Sequence, residues 1–200
     1  MFNINETNGD AELLERYQKR LLKEFPNEVL YGVEFGVAYG GGIEQICKVW
    51  KNRGIVLGYD TFTEHPKHLA SYDLEKTIMD GWYDQNGKES LLSKEYIQKE
   101  LIKNNLYNFI LIKEEVTYKS VLDVPFRFHY ALLDFDISVC MNDAYNMVRD
   151  RMVTGGYLCV HDIIPEDHLP KTHDWWFDTI LPKDELTLVA NGAYLGVYRV

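Results

Sequence analysis

VEFGVAYGGGIEQI, residues 33–46, decides the fold. It starts as an apolar strand, breaks at Gly36 and passes through Gly40-Gly41-Gly42 into a helix that continues to about Trp50. A strand that turns on glycines into a helix is the opening unit of a sheet whose ligands sit beyond the carboxyl ends of its strands. Gly36 leaves the strand end open to a ligand, and the helix N-terminus offers unpaired N–H groups. A P-loop is excluded, because no Lys-Ser/Thr follows the glycines. Gly36, Ala38 and Gly41 have dinucleotide spacing, but a side chain at the second position would crowd a pyrophosphate. Glu34, two residues before Gly36, is expected to aim its carboxylate into the site, repelling a diphosphate and pairing with an ammonium group.

Outward from this stretch, apolar strands alternate with helices. IVLGYD (55–60), NFILI (108–112), HYALLDFD (129–136) and YLCVHDI (157–163) read as strands two to five. Helical spacing is found over 12–25, about 90–104 and 142–152, and Gly155-Gly156 is expected to stop the last of these. Thr172 is placed as the cap of a short helix carrying Trp175, Trp176 and Phe177, a cluster more natural in a core than on a substrate wall. LTLVA and YLGVYRV, joined by Asn191-Gly192, read as a closing hairpin. The expected fold is α/β: a Rossmann-like, seven-stranded, mostly parallel sheet with helices on both faces and a C-terminal antiparallel hairpin. One domain over 1–200 is expected, with 1–27 as a helical extension and 28–200 as the catalytic core; the first ten residues read as frayed. The extension helix either covers the site, meets a partner subunit or packs on the sheet edge.

The strand ends carry the chemistry. Asp60 closes strand two where an acidic side chain binds ribose hydroxyls, although an Asp before Thr61 also starts turns. An amino-acid end for Glu34, a ribose for Asp60 and no phosphate together describe S-adenosyl-L-methionine. Asp134, His161 and Asp162 leave strands four and five toward one crevice. Either they hold a divalent cation with positions open for substrate oxygens, or the acids cap helices while His161 hydrogen-bonds. Without a metal, His161 could act as general base. His65, His68, His168 and His173 read as surface histidines, and Trp82 and Tyr83 as a lid over substrate.

Composition narrows the partners. The chain is 46% hydrophobic with a formal net charge of -10, and its 21 Lys and Arg form no tract, so neither nucleic acid nor an anionic membrane is the expected partner. Cys47, Cys140 and Cys159 lack metal or redox spacing. No signal-like or membrane-length apolar segment is read, and a cytoplasmic protein is expected.

The order EFGVAYGG, GYDTFTEHP, LLDFD and MVTGGYLCVHDI resembles the class I S-adenosylmethionine-dependent methyltransferases, and among them the macrocin O-methyltransferase family, which modifies sugar hydroxyls. The resemblance runs from about residue 29 to the end. It rests on an acid-x-Gly-Val first motif with Gly-Gly, a second motif over Asp60-Thr61-Phe62-Thr63-Glu64 with Pro66, and Asp134-x-Asp136. It implies that Glu34, Gly36 and Gly40 bind the methionine end and Asp60 the ribose, that Glu115 and Val116 lie by the adenine, and that Tyr39 and Asp134 also belong to the cofactor-binding residues. Catalysis would fall to Asp134 and His161, and a metal to Asp134, His161 and Asp162. The family's Asp-Asp after strand five is His161-Asp162 here, so the metal is magnesium, a softer ion or none. Ile137 stands where related catechol-type enzymes have lysine. The expected activity is O-methylation of a carbohydrate or sugar-bearing metabolite, with a homodimer as the general expectation. Two rivals are a noncatalytic cofactor-binding partner subunit and an NAD-dependent oxidoreductase.

Overall fold

The computed structural model describes residues 9–63 and 93–200. His65, His68, Trp82, Tyr83 and the end of the second motif lie outside the described residues, as does the start of the helical stretch at about 90. Helix α1 (Asp10–Glu24) leads into β1 (Leu30–Phe35), α2 (Gly41–Trp50) and β2 (Gly54–Asp60). Then come α3 (Lys94–Lys103), β3 (Phe109–Lys113), β4 (Phe128–Leu133), α4 (Ser138–Val148), β5 (Met152–Val160) and α5 (Pro170–Asp174). A wider turn of helix over Trp175–Ile180 follows, before β6 (Thr187–Asn191) and β7 (Gly196–Arg199).

The strands form one seven-stranded sheet in the order β3-β2-β1-β4-β5-β7-β6. β1 through β5 run parallel, and β7 is antiparallel to both β5 and β6. Strand order reverses between β1 and β4, so the crevice for a ligand opens where Gly36 and Asp134 follow adjacent strand tips. The period-two alternation of the strands supplies two cores. Tyr130 and Leu132 of β4 join Leu13, Tyr17, Ile46, Trp50 and Leu101 on one face. Ala131 and Leu133 join Met141, Tyr145, Val148 and Trp176 on the other. Among the described residues, no helix is long and apolar enough to cross a membrane.

Four local expectations are corrected. Helix α4 ends at Val148, and Gly155-Gly156 lies inside β5, not at a helix stop. The Gly155 amide donates to Val200 O at 2.6 Å and Val200 N donates to Gly156 O at 3.1 Å, so the chain terminus pulls both glycines into the sheet. Thr172 caps nothing: α5 starts at Pro170, and buried Thr172 donates Oγ1 to Asp136 O at 2.7 Å. The hairpin pairs Asn191 with Gly196, leaving residues 192–195 as the connection instead of a two-residue turn. The amides of Ala193 and Tyr194 instead donate to the Asp10 carboxylate at 2.8 and 3.2 Å. Asp10 is therefore not frayed; it opens α1 and is anchored at the far end of the chain.

Candidate active site

A concavity with a volume of about 430 Å³ lies at the switch point. That is the usual size range for a small-molecule site. Its wall includes Gly36, Tyr39, Asp60, Glu115, Val116, Asp134, His161 and Asp162, so most of the sequence-derived site residues meet in one cavity. Gly40 and Glu34 are not on that wall. Backbone strain collects at the same strand tips. Ala38 (φ 44°), Phe62 (φ 52°), Asp136 (φ 62°) and Asp162 (φ 59°), all left-handed and none of them glycine, follow β1, β2, β4 and β5. Such conformations persist where surrounding structure enforces them. Here Asp60 accepts the Ala38 amide on Oδ2 at 2.9 Å and the Phe62 amide on Oδ1 at 2.6 Å, tying the first two loops together. Oδ1 also accepts from Thr61 Oγ1 at 3.5 Å, and Oδ2 keeps a lone pair for a further donor.

Glu34 departs from its expected orientation. It is 3% exposed, and a Cβ placed on Gly42 would lie 2.5 Å from both of its carboxylate oxygens. The carboxyl is therefore folded under the first turn of α2, where the Ile43 amide hydrogen-bonds to it. The cause is local: the free N–H groups of a helix start lie close by, and an acceptor there relieves them. Burial, then Asp134 and Asp60, push the Glu34 carboxyl well above the usual range. Its carboxyl is thus turned to the start of α2 and not to the cavity wall.

The electrostatics of the cavity are one-sided. Six carboxylates, from Asp60, Glu114, Glu115, Asp134, Asp136 and Asp162, line it, and no Lys or Arg does so among the described residues. Burial together with Asp134 and Asp162 pushes the Asp136 carboxyl well up, while Asp162 is lowered: burial opposes its ionisation, but His161, Asp136 and His168 outweigh it. Burial also pushes the Cys140 thiol on the wall up to about 12, so it is no nucleophile.

His161 stands among carboxylates. Its Nδ1 is 3.1 Å from Asp134 Oδ1 and 3.1 Å from Asp162 Oδ2, and its Nε2 is 3.6 Å from Asp10 Oδ2. Burial disfavours the imidazolium, but Asp134, Asp10 and Asp162 outweigh it and raise the pKa strongly. A ring held in its charged form gives up protons instead of taking them, so the geometry does not support His161 as a metal-free general base. Asp10 and His168 are the site residues that sequence reasoning missed. His168 lines the wall, its Nε2 is 3.1 Å from Asp162 Oδ1, and its ring lies 4.5 Å from that of Tyr194. No local pattern signals either contact, because both depend on where β5 and the hairpin meet.

Asp134, His161 and Asp162 fit a divalent cation. One ligand atom from each lies within 4.8 Å of the others, and buried His161 Nδ1 has no aligned hydrogen bond despite its two carboxylate neighbours. Donors sharing a cation at right angles with bonds of ~2.1 Å stand ~3 Å apart, close to the 3.1 Å that separates His161 Nδ1 from each carboxylate. An imidazole in the set favours softer metals over magnesium.

Comparison with solved structures finds the same fold. The O-methyltransferase NovP superposes with a TM-score of 0.73 at 15% identity, covering 95% of this chain and 78% of NovP. The fold is that of the class I S-adenosylmethionine-dependent methyltransferases. The calicheamicin methyltransferase CalS11 matches with a TM-score of 0.66 at 16% identity over 95% of this chain and 78% of its own. SMU.1697c from Streptococcus mutans, solved with S-adenosylhomocysteine, matches with a TM-score of 0.60 at 12% identity over 96% and 99%. Ribosomal-RNA methylases share the methyltransferase fold as well, so the acceptor has to be read from the cavity and not from the fold. No family model matches the sequence, and no curated protein matches it.

Proposed function

We propose that the chain is an S-adenosylmethionine-dependent O-methyltransferase acting on a hydroxyl of a small molecule, a sugar or a sugar-bearing metabolite. The observation that carries this is the acidic cavity beside Gly36 at the reversal of strand order, which no Lys or Arg lines among the described residues. The ionised carboxylates of its wall repel a dinucleotide's pyrophosphate and attract a donor that carries an ammonium and a sulfonium. This speaks against the oxidoreductase rival even though the glycine spacing permits it. CalS11 is a TDP-rhamnose 3'-O-methyltransferase, which agrees with a sugar acceptor.

The residues divide as follows. Gly36 and the Tyr39-Gly40 turn, held from beneath by Glu34, cradle the amino-acid end of the donor. Asp60 accepts from a ribose hydroxyl through the remaining lone pair of Oδ2, and Glu115 and Val116 border the adenine. Bound donor supplies an electrophilic methyl carbon on a sulfonium sulfur. Asp134, whose side chain is 33% exposed, orients the acceptor hydroxyl and takes its proton at the carboxylate. Asp134, His161 and Asp162 would hold a divalent cation, which supplies Lewis-acid polarisation of the acceptor oxygen.

The test is transfer of labelled methyl from the donor to a panel of neutral glycosides, amino sugars, nucleoside diphosphate sugars and RNA. Label is expected in a sugar hydroxyl, whether of a glycoside, an amino sugar or a nucleoside diphosphate sugar. Label in RNA overturns the acceptor class. No label in any hydroxylated acceptor favours the noncatalytic partner subunit.

A further inference from the structure

Which ring nitrogen of a ligating histidine faces the metal is set by what the other nitrogen faces. In this chain Nδ1 of His161 looks toward Asp134 and Asp162, and Nε2 looks toward Asp10, at 3.6 Å. Asp10 comes from neither strand tip. It opens the N-terminal helix, and its carboxylate is fixed by the amides of Ala193 and Tyr194 in the hairpin connection. That seat is tight, since a Cβ on Gly192 would lie 1.9 Å from Asp10 Oδ1. The helix behind it is pinned by buried Leu13, Leu14 and Tyr17 and by Gln45 Nε2 donating to Ala11 O at 2.8 Å. The side chain of Asp10 is only 15% exposed, and Asp10 is not on the cavity wall.

We infer that Asp10 is a positioning residue for the metal: it holds the His161 ring so that Nδ1 stays aimed at the point shared with Asp134 and Asp162. The N-terminal helix thereby becomes part of the site, completing a carboxylate–histidine pair beside the cation. This rests on the divalent-cation reading above.

The test measures Co²⁺ binding to the full chain by calorimetry and by the visible absorption of the bound ion. Asp10→Asn keeps the size of the side chain and an acceptor for one of the two hairpin amides, but removes the charge facing Nε2. Removing such a partner weakens metal binding by roughly 10–100-fold. The expected result is a loss of at least about tenfold in Co²⁺ affinity with an altered absorption band, while S-adenosylhomocysteine affinity stays within about twofold. Leu14→Ala, which loosens the helix and keeps the carboxylate, is expected to leave Co²⁺ affinity near that of the unaltered chain. Unchanged Co²⁺ affinity in Asp10→Asn overturns the role of Asp10 and leaves the metal reading standing. An equal loss in Leu14→Ala overturns it too, showing a merely structural contribution. Failure of the unaltered chain to bind Co²⁺ removes the cation itself, and the positioning role with it.

Discussion

Gly36→Ala is expected to abolish donor binding and to remove several kcal/mol of stability. The residue has φ +93°, and an added Cβ would lie 2.0 Å from the carbonyl oxygen of Asp134, a backbone atom that cannot turn aside. Left-handed conformation costs a side-chain-bearing residue ~1–2 kcal/mol, and overpacking adds ~1–3 kcal/mol. Against a total of roughly 5–15 kcal/mol for a domain, that sum is a large fraction. The strain falls at the reversal of strand order, because the Gly36 amide donates to Tyr59 O at 2.9 Å while the Asp134 amide donates to Phe35 O at 2.8 Å. Relief requires parting β1 from β4 and moving Asp134. Denaturant unfolding and S-adenosylhomocysteine titration would measure both effects. Gly41→Ala, whose Cβ would meet nothing within 4 Å, is the control and is expected to be close to neutral. Equal behaviour of the two variants would contradict the tight approach at Gly36.

Asp134→Ala is expected to lower kcat by about 10³-fold or more with donor affinity changed only a few-fold. General-base assistance alone contributes roughly 10²–10⁴-fold. The same side chain also faces His161 Nδ1 at 3.1 Å, so its loss removes one candidate metal ligand as well. The fold should tolerate the change, because a third of the side chain is exposed and no apolar packing is lost. Separate determination of kcat and of S-adenosylhomocysteine affinity distinguishes the two contributions. Normal turnover in the variant would take Asp134 out of the chemistry.

How much of this was legible follows from how local each signal is. The β1–turn–α2 unit, the acidic ends of LLDFD and VHDI, and the reversed last strand each write themselves into a few neighbouring residues, and all stand where expected. Gly155-Gly156 misled because a glycine pair after a helix looks the same whether it stops the helix or bulges a strand. The deciding partner, Val200, is supplied by β7 and its end. Glu34 misled for a similar reason. Its position before the turn is local, but the direction of its carboxyl depends on the free Ile43 amide brought over it by α2. Asp10 beside His161 joins positions 151 residues apart across a helix, a strand end and a hairpin. Such a contact exists only in the assembled molecule.

The central claim is that the crevice at the tips of β1, β2 and β4 accepts a cationic, phosphate-free nucleoside. Isothermal titration of the unaltered chain with S-adenosylhomocysteine and, separately, with NAD tests it most directly. Micromolar binding of S-adenosylhomocysteine, on the order of -8 kcal/mol, and no heat with NAD are expected. Saturable binding of NAD, or silence toward S-adenosylhomocysteine, would contradict it.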